Sequence, residues 1–86
     1  MAFSLNTRKD KGVVIIELSG KFTVGEPVLQ LRTTIDRLIK EGDLKFIVNL
    51  ENASLLDSGT LGELVSILTS LRARGGDLKL ITRPRD

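Results

Sequence analysis

Apolar runs at residues 13–16, 45–50 and 78–82 alternate with two longer stretches whose apolar residues recur every three or four positions. Short runs of β-branched residues pack as strands, whereas a three-to-four spacing buries one side of a helix. The alternation therefore restricts the chain to the α/β class. Val13-Val14-Ile15-Ile16 is unbroken rather than alternating, the pattern of a strand covered on both faces and lying inside its sheet. A short strand over residues 3–7 is expected to lead into it through a turn at Asp10-Lys11-Gly12, because glycine supplies the positive φ that tight hairpins need.

The run from Val13 is expected to end at Gly20. Gly25-Glu26-Pro27 then opens a helix, since proline fits an early helical position and an acid suits the positive end of the helix dipole. Val28, Leu31, Ile35, Leu38 and Ile39 fall within about 100° of a helical wheel, and Gly42 closes the segment. A strand is expected over residues 45–50, a loop over 51–54, and a strand-to-helix junction over 55–62. Leu61, Leu64, Val65, Ile67, Leu68 and Leu71 spread over about 160° of the second helix, wider than one packing partner requires. Gly75-Gly76 stops that helix before a last strand over 78–82.

Two successive crossovers are right-handed by rule, which makes the last three strands parallel. The expectation is a single domain over residues 1–86, an open and mostly parallel α/β sheet of about four strands with helical crossovers. Two helices cover one face of such a sheet, while the unbroken first run and the wide second stripe ask for cover on both. Further helices beyond Asp86, or a second copy bound through uncovered apolar surface as a homo-oligomer, would supply it.

Hydrophobic residues make up 41% of the 86-residue chain and charged residues 28%, a globular balance that allows roughly 60% of the unfolded surface to be buried. Cysteine and histidine are both absent, so disulfides and the usual transition-metal ligand sets are excluded. No cofactor is implied. A formal charge of +2 is too small to imply strong affinity for a phosphate backbone. Arg72, Arg74, Arg83 and Arg85 begin to form a basic patch, but stacking partners are limited to Phe3, Phe22 and Phe46, so direct nucleic-acid binding is disfavoured. The first five residues carry neither a basic segment nor a long apolar one, which makes a cytoplasmic location the default and membrane attachment unexpected.

Asp57-Ser58 stands where a parallel strand hands over to a helix, at the edge of an open sheet where functional loops gather. Two readings are open. Aspartate and serine are preferred helix caps, because a side-chain oxygen accepts from a first-turn amide. Ser58 also fits a phosphoacceptor. A phosphate there adds about −1.5 to −2 charge, which the helix dipole favours and Asp57 opposes. Little refolding would follow, so the effect would fall on a partner. Gly59 and Gly62 lack the lysine-serine pair and the spacing of a nucleotide loop and are better explained by close approach of the first helical turn to a neighbour. Gly20, Gly25 and Gly42 are expected in turns. Glu51, Asp57 and Glu63 show no spacing that predicts convergence, and Ser58 has no histidine to activate it. An enzyme is not expected.

Leu18-Ser19-Gly20-Lys21-Phe22-Thr23, Leu31-Arg32 with Ile35, Phe46-Ile47-Val48-Asn49-Leu50 and above all Leu56-Asp57-Ser58-Gly59-Thr60-Leu61-Gly62 resemble the STAS family of sulfate transporters and anti-sigma factor antagonists, over about residues 13–82. The resemblance implies a domain that exchanges partners, with Ser58 at the position phosphorylated in bacterial antagonists. It implies as partners an anti-sigma factor acting as serine kinase and a phosphatase that restores binding. Phe22, Thr23 and Val24 would neighbour Ser58 and, with Asp57, Gly59 and Thr60, share the contact surface. Two departures stand out. Gly59-Thr60 replaces the family's more common small residue followed by glycine, making Thr60 a rival acceptor, and the C-terminal helices usual for the family are not in the sequence. The alternative is a STAS-like module that is not phosphorylated and binds a small ligand or nucleotide, or scaffolds a signalling or transport assembly.

Overall fold

A computed structural model describes residues 3–83. Strands β1 (Phe3–Asp10) and β2 (Val13–Phe22) are followed by helix α1 (Glu26–Lys40), strand β3 (Lys45–Leu56), helix α2 (Ser58–Ala73) and strand β4 (Asp77–Ile81). The four strands form one sheet in the order β1-β2-β3-β4. β1 is antiparallel to β2, and β2, β3 and β4 are parallel, as the two crossovers require. The hairpin pairs Asp10 with Val13 and turns on Lys11 and Gly12, whose φ values of 53° and 82° are the two positive angles of a type I′ turn.

Register explains why one face becomes the core. Val14 pairs with Phe46 and Phe46 with Leu78, while Ile16 pairs with Val48. These side chains share a face and pack in one cluster with Leu31, Ile35 and Leu38 of α1 and Leu64, Ile67 and Leu71 of α2. Both helices therefore lie on the same side of the sheet. Phe3 sets its ring edge-on against buried Phe22, with centroids 5.4 Å apart, sealing the β1 end of this layer.

Several expectations are corrected. β1 extends to Asp10 rather than Thr7. The expected loop at 51–54 is the second half of β3, paired with Ser19–Phe22 of β2 through two register shifts. Gly20 does not end β2 but lies inside it at φ 82°, beside one of those shifts, where a bulge needs a residue free of Cβ. β2 is internal, yet it is not covered on both faces. Its burial alternates, and Val13 and Ile15 are only half-buried. Arg8, Ile15, Ile47 and Lys79 pair in one row across that second face, so two charged residues flank its apolar centre. No helix covers it among the described residues.

Candidate functional site

Phe22 pairs with Leu56 at the ends of the parallel strands β2 and β3, so the chain leaves the sheet twice at the same level. Residues 23–25 lead from β2 into α1, and Asp57 leads from β3 into α2. Of the two residues that could cap α2, the structure uses Asp57. Its Oδ1 accepts from the Thr60 amide at 2.8 Å, and its Oδ2 accepts from the Val24 amide at 2.9 Å. One carboxylate thus closes the helix and ties it to the preceding crossover loop. The Asp57 amide donates to the Phe22 carbonyl at 3.4 Å, adding a backbone tie between the same two segments.

Thr60 completes the clasp from below. Its side chain is fully buried, with Oγ1 2.8 Å from the Phe22 carbonyl oxygen and 2.7 Å from Asp57 Oδ1. A hydroxyl has one proton, so it donates to one of these acceptors at a time. Three donors, the Val24 amide first and then the Thr60 hydroxyl and amide, hold the Asp57 carboxyl below the usual aspartate range, because each favours the charged form.

Ser58, freed from capping, is the first residue of α2 and is exposed. The Thr60 hydroxyl, by contrast, is buried against the Phe22 carbonyl and the Asp57 carboxylate. Phe22 likewise has a fully buried side chain. It serves the site through its carbonyl. Val24, by contrast, is 68% exposed. A Cβ at Gly59 would overlap Val24 Cγ2, so glycine there lets the crossover loop lie against the first turn of α2. Gly62 has open space around its Cβ position, which corrects the expected close approach within this chain.

The suspected carboxylates do not converge. Glu51 accepts through its backbone oxygen from Arg83 at 2.6 Å, and Glu63 accepts from Arg32 Nη1 at 2.6 Å. Of the suspected basic patch, Arg72 lies near Asp77 at 3.4 Å, Arg83 is engaged by the Glu51 carbonyl, and Arg85 lies outside the described residues. The Arg32–Glu63 bridge between α1 and α2 escaped sequence reasoning. Arg32 and Asp36 lie at a legible four-residue spacing, but no local signal pairs Arg32 with a residue 31 positions away.

A strand-to-helix junction with a buried threonine, a carboxylate clasp and an outward serine sits here on a sheet of order β1-β2-β3-β4. Residues 4–86 match the STAS domain family, and the chain belongs to it. Among solved structures, the anti-sigma factor antagonist SpoIIAA in its unphosphorylated form is similar, with a TM-score of 0.79 and 29% identity over 99% of this chain and 76% of that one. The Bacillus cell fate determinant SpoIIAA in its phosphorylated form follows, with a TM-score of 0.75 and 28% identity over 98% and 74% of the two chains. An anti-sigma factor antagonist from Mycobacterium paratuberculosis shares the fold, with a TM-score of 0.80 at 15% identity over 96% of this chain and 69% of the other. Comparison with curated protein sequences gives no match. Neither α1 nor α2 is long and apolar enough to cross a membrane.

Proposed function

We propose that this chain is a partner-switching module of the anti-sigma factor antagonist type, regulated by phosphorylation of Ser58. The reading is carried by one observation: Ser58 is exposed at the start of α2 while Asp57 does the capping and Thr60 is buried. Modification of Ser58 therefore breaks no contact that holds the fold. The likeness at 28% identity to a structure in a phosphorylated form supports the same reading.

The unmodified module binds an anti-sigma factor, which is also the serine kinase, through the surface made by exposed Val24, half-buried Thr23, Ser58 and Gly59. Binding releases a sigma factor in the cytoplasm and so regulates transcription. The kinase is the enzyme of the pair, and a phosphatase resets the module. At a docked surface, a misplaced dianion costing about 3 kcal/mol lowers affinity about a hundredfold. Within the free domain the same charge meets opposing local effects, the dipole of α2 in its favour and Asp57 against it.

Incubation with an anti-sigma factor kinase and ATP, followed by intact mass measurement, is expected to show one added phosphate that Ser58→Ala abolishes. An unmodified mass, or a phosphate that persists in Ser58→Ala, rejects the assignment.

A further inference from the structure

The Asp57 carboxylate has two oxygens with separate tasks. Oδ1 takes the Thr60 amide at 2.8 Å and caps α2. Oδ2 takes the Val24 amide at 2.9 Å, across 33 residues of sequence. Capping needs only one acceptor, which serine or asparagine supplies as well as aspartate does. A second acceptor aimed away from the helix is what a carboxylate has and an asparagine side chain lacks. Aspartate is an unfavourable neighbour for a phosphate on Ser58, since the two charges repel. An uncharged cap at position 57 would remove that repulsion but would also forfeit the bond to Val24. The donors around the carboxyl hold it below the usual aspartate range, so both oxygens accept at neutral pH.

Val24 is an apolar residue in the short connection between β2 and α1, and it is 68% exposed. Its backbone is gripped by Asp57, and its side chain lies where a Cβ on Gly59 would overlap Cγ2. The residues on either side of Ser58 in sequence thus both hold Val24. Its methyl groups and the Ser58 hydroxyl stand in a fixed relation before any partner arrives. An exposed apolar side chain that is already ordered spares a partner the entropy of ordering it.

We propose that Asp57 is a positioning residue for docking, which acts through Val24 by fixing this apolar anchor beside Ser58. The partner it fits has an apolar pocket for Val24 adjoining the place that receives the serine hydroxyl. The docking role rests on the phosphorylation of Ser58 proposed above.

Asp57→Asn keeps an acceptor for the Thr60 amide and turns an NH2 group toward the Val24 amide. Asp57→Ser caps with a hydroxyl and has no second oxygen. In the free 86-residue chain, both are expected to speed hydrogen exchange at the Val24 amide about tenfold and to leave Thr60 protected within about twofold. Unchanged exchange at Val24 in both variants overturns the proposal.

With an anti-sigma factor kinase and ATP, Asp57→Asn is expected to raise the KM for the chain about tenfold, with kcat held within about twofold. Val24→Ala is expected to raise KM by a similar factor, and adding Asp57→Asn to it to raise KM no further. Effects that multiply instead would mean that Asp57 does not act through Val24. Val14→Ala, a core change at the opposite end of β2, is expected to keep the wild-type KM. A KM raised equally there would reduce the Asp57 effect to lost stability and overturn the positioning role. Exchange at Val24 is read without a kinase. A wild-type chain that the kinase leaves unmodified rejects the phosphoswitch and the docking role with it, while exchange at Val24 still decides whether Asp57 fixes the loop.

Discussion

The two helices start at the same edge of the sheet by different means. α1 opens on Gly25, whose φ of 123° and ψ of −141° suit only glycine, and no side chain caps it, although Pro27 stiffens its first turn. α2 opens on Asp57 in an ordinary extended conformation, with its carboxylate taking the amide of Thr60 and that of Val24. The first start is held by backbone conformation alone, the second by a charged group that also grips the neighbouring loop. Only the second leaves an exposed hydroxyl on a fixed platform, which is what a modification site requires if its charge is to act on a partner rather than on the fold.

Substitutions at the two starts can break this contrast. The largest effect is expected at the glycine: Gly25→Ala meets no steric neighbour but forces a Cβ into a strained backbone region, and is expected to cost about 2 kcal/mol in urea denaturation. A loss below about 0.5 kcal/mol would show that the α1 start relaxes freely. Thr60→Val removes the buried hydroxyl while the Phe22 carbonyl keeps the Asp57 amide at 3.4 Å, and is expected to cost about 1 kcal/mol.

The clasp also predicts a smaller dependence on pH. The Asp57 carboxyl titrates below its ordinary value of 3.8 when folded, so its stabilisation is fully present above that value. It is lost as pH falls through the lower folded value. The urea midpoint of wild type is expected to drop toward that of Asp57→Asn across this window, and a constant difference between the two would show that the carboxylate is not the clasp. Ser58→Ala, at the outward position, is expected to change stability by less than about 0.5 kcal/mol. A larger loss would mean that Ser58 shares the capping role and would blunt the contrast between platform and acceptor.

Much of the fold was legible because its signals are local. The Lys11–Gly12 turn, the Gly25–Pro27 helix start and the stops at Gly42 and Gly75 each depend on the φ of one or two residues. The reading of 51–54 as a loop failed because Glu51-Asn52-Ala53-Ser54 lacks strand-forming residues, and only pairing with β2 holds it extended. The run Val13–Ile16 was read as covered on both faces, but among the described residues its burial alternates, because both helices lie on one side of the sheet. Ser58 was legible as an exposed candidate, but the burial of Thr60 two positions away was not, because first-turn residues differ in environment by rotation about the helix axis against neighbours distant in sequence.

By itself the sequence determined the class of the fold, the order of its elements, the parallel sense of its last three strands and the place where a strand becomes a helix, all of which follow from periodicity and backbone preference. Tertiary structure alone decided that Asp57 rather than Ser58 caps α2, that Phe22 and Thr60 face inward, and that Leu61 and Val65 are exposed among the described residues. Those outcomes depend on the Val24 amide, the Phe22 carbonyl and the β4 edge. Only chain closure brings such groups within bonding distance, and no local preference encodes it.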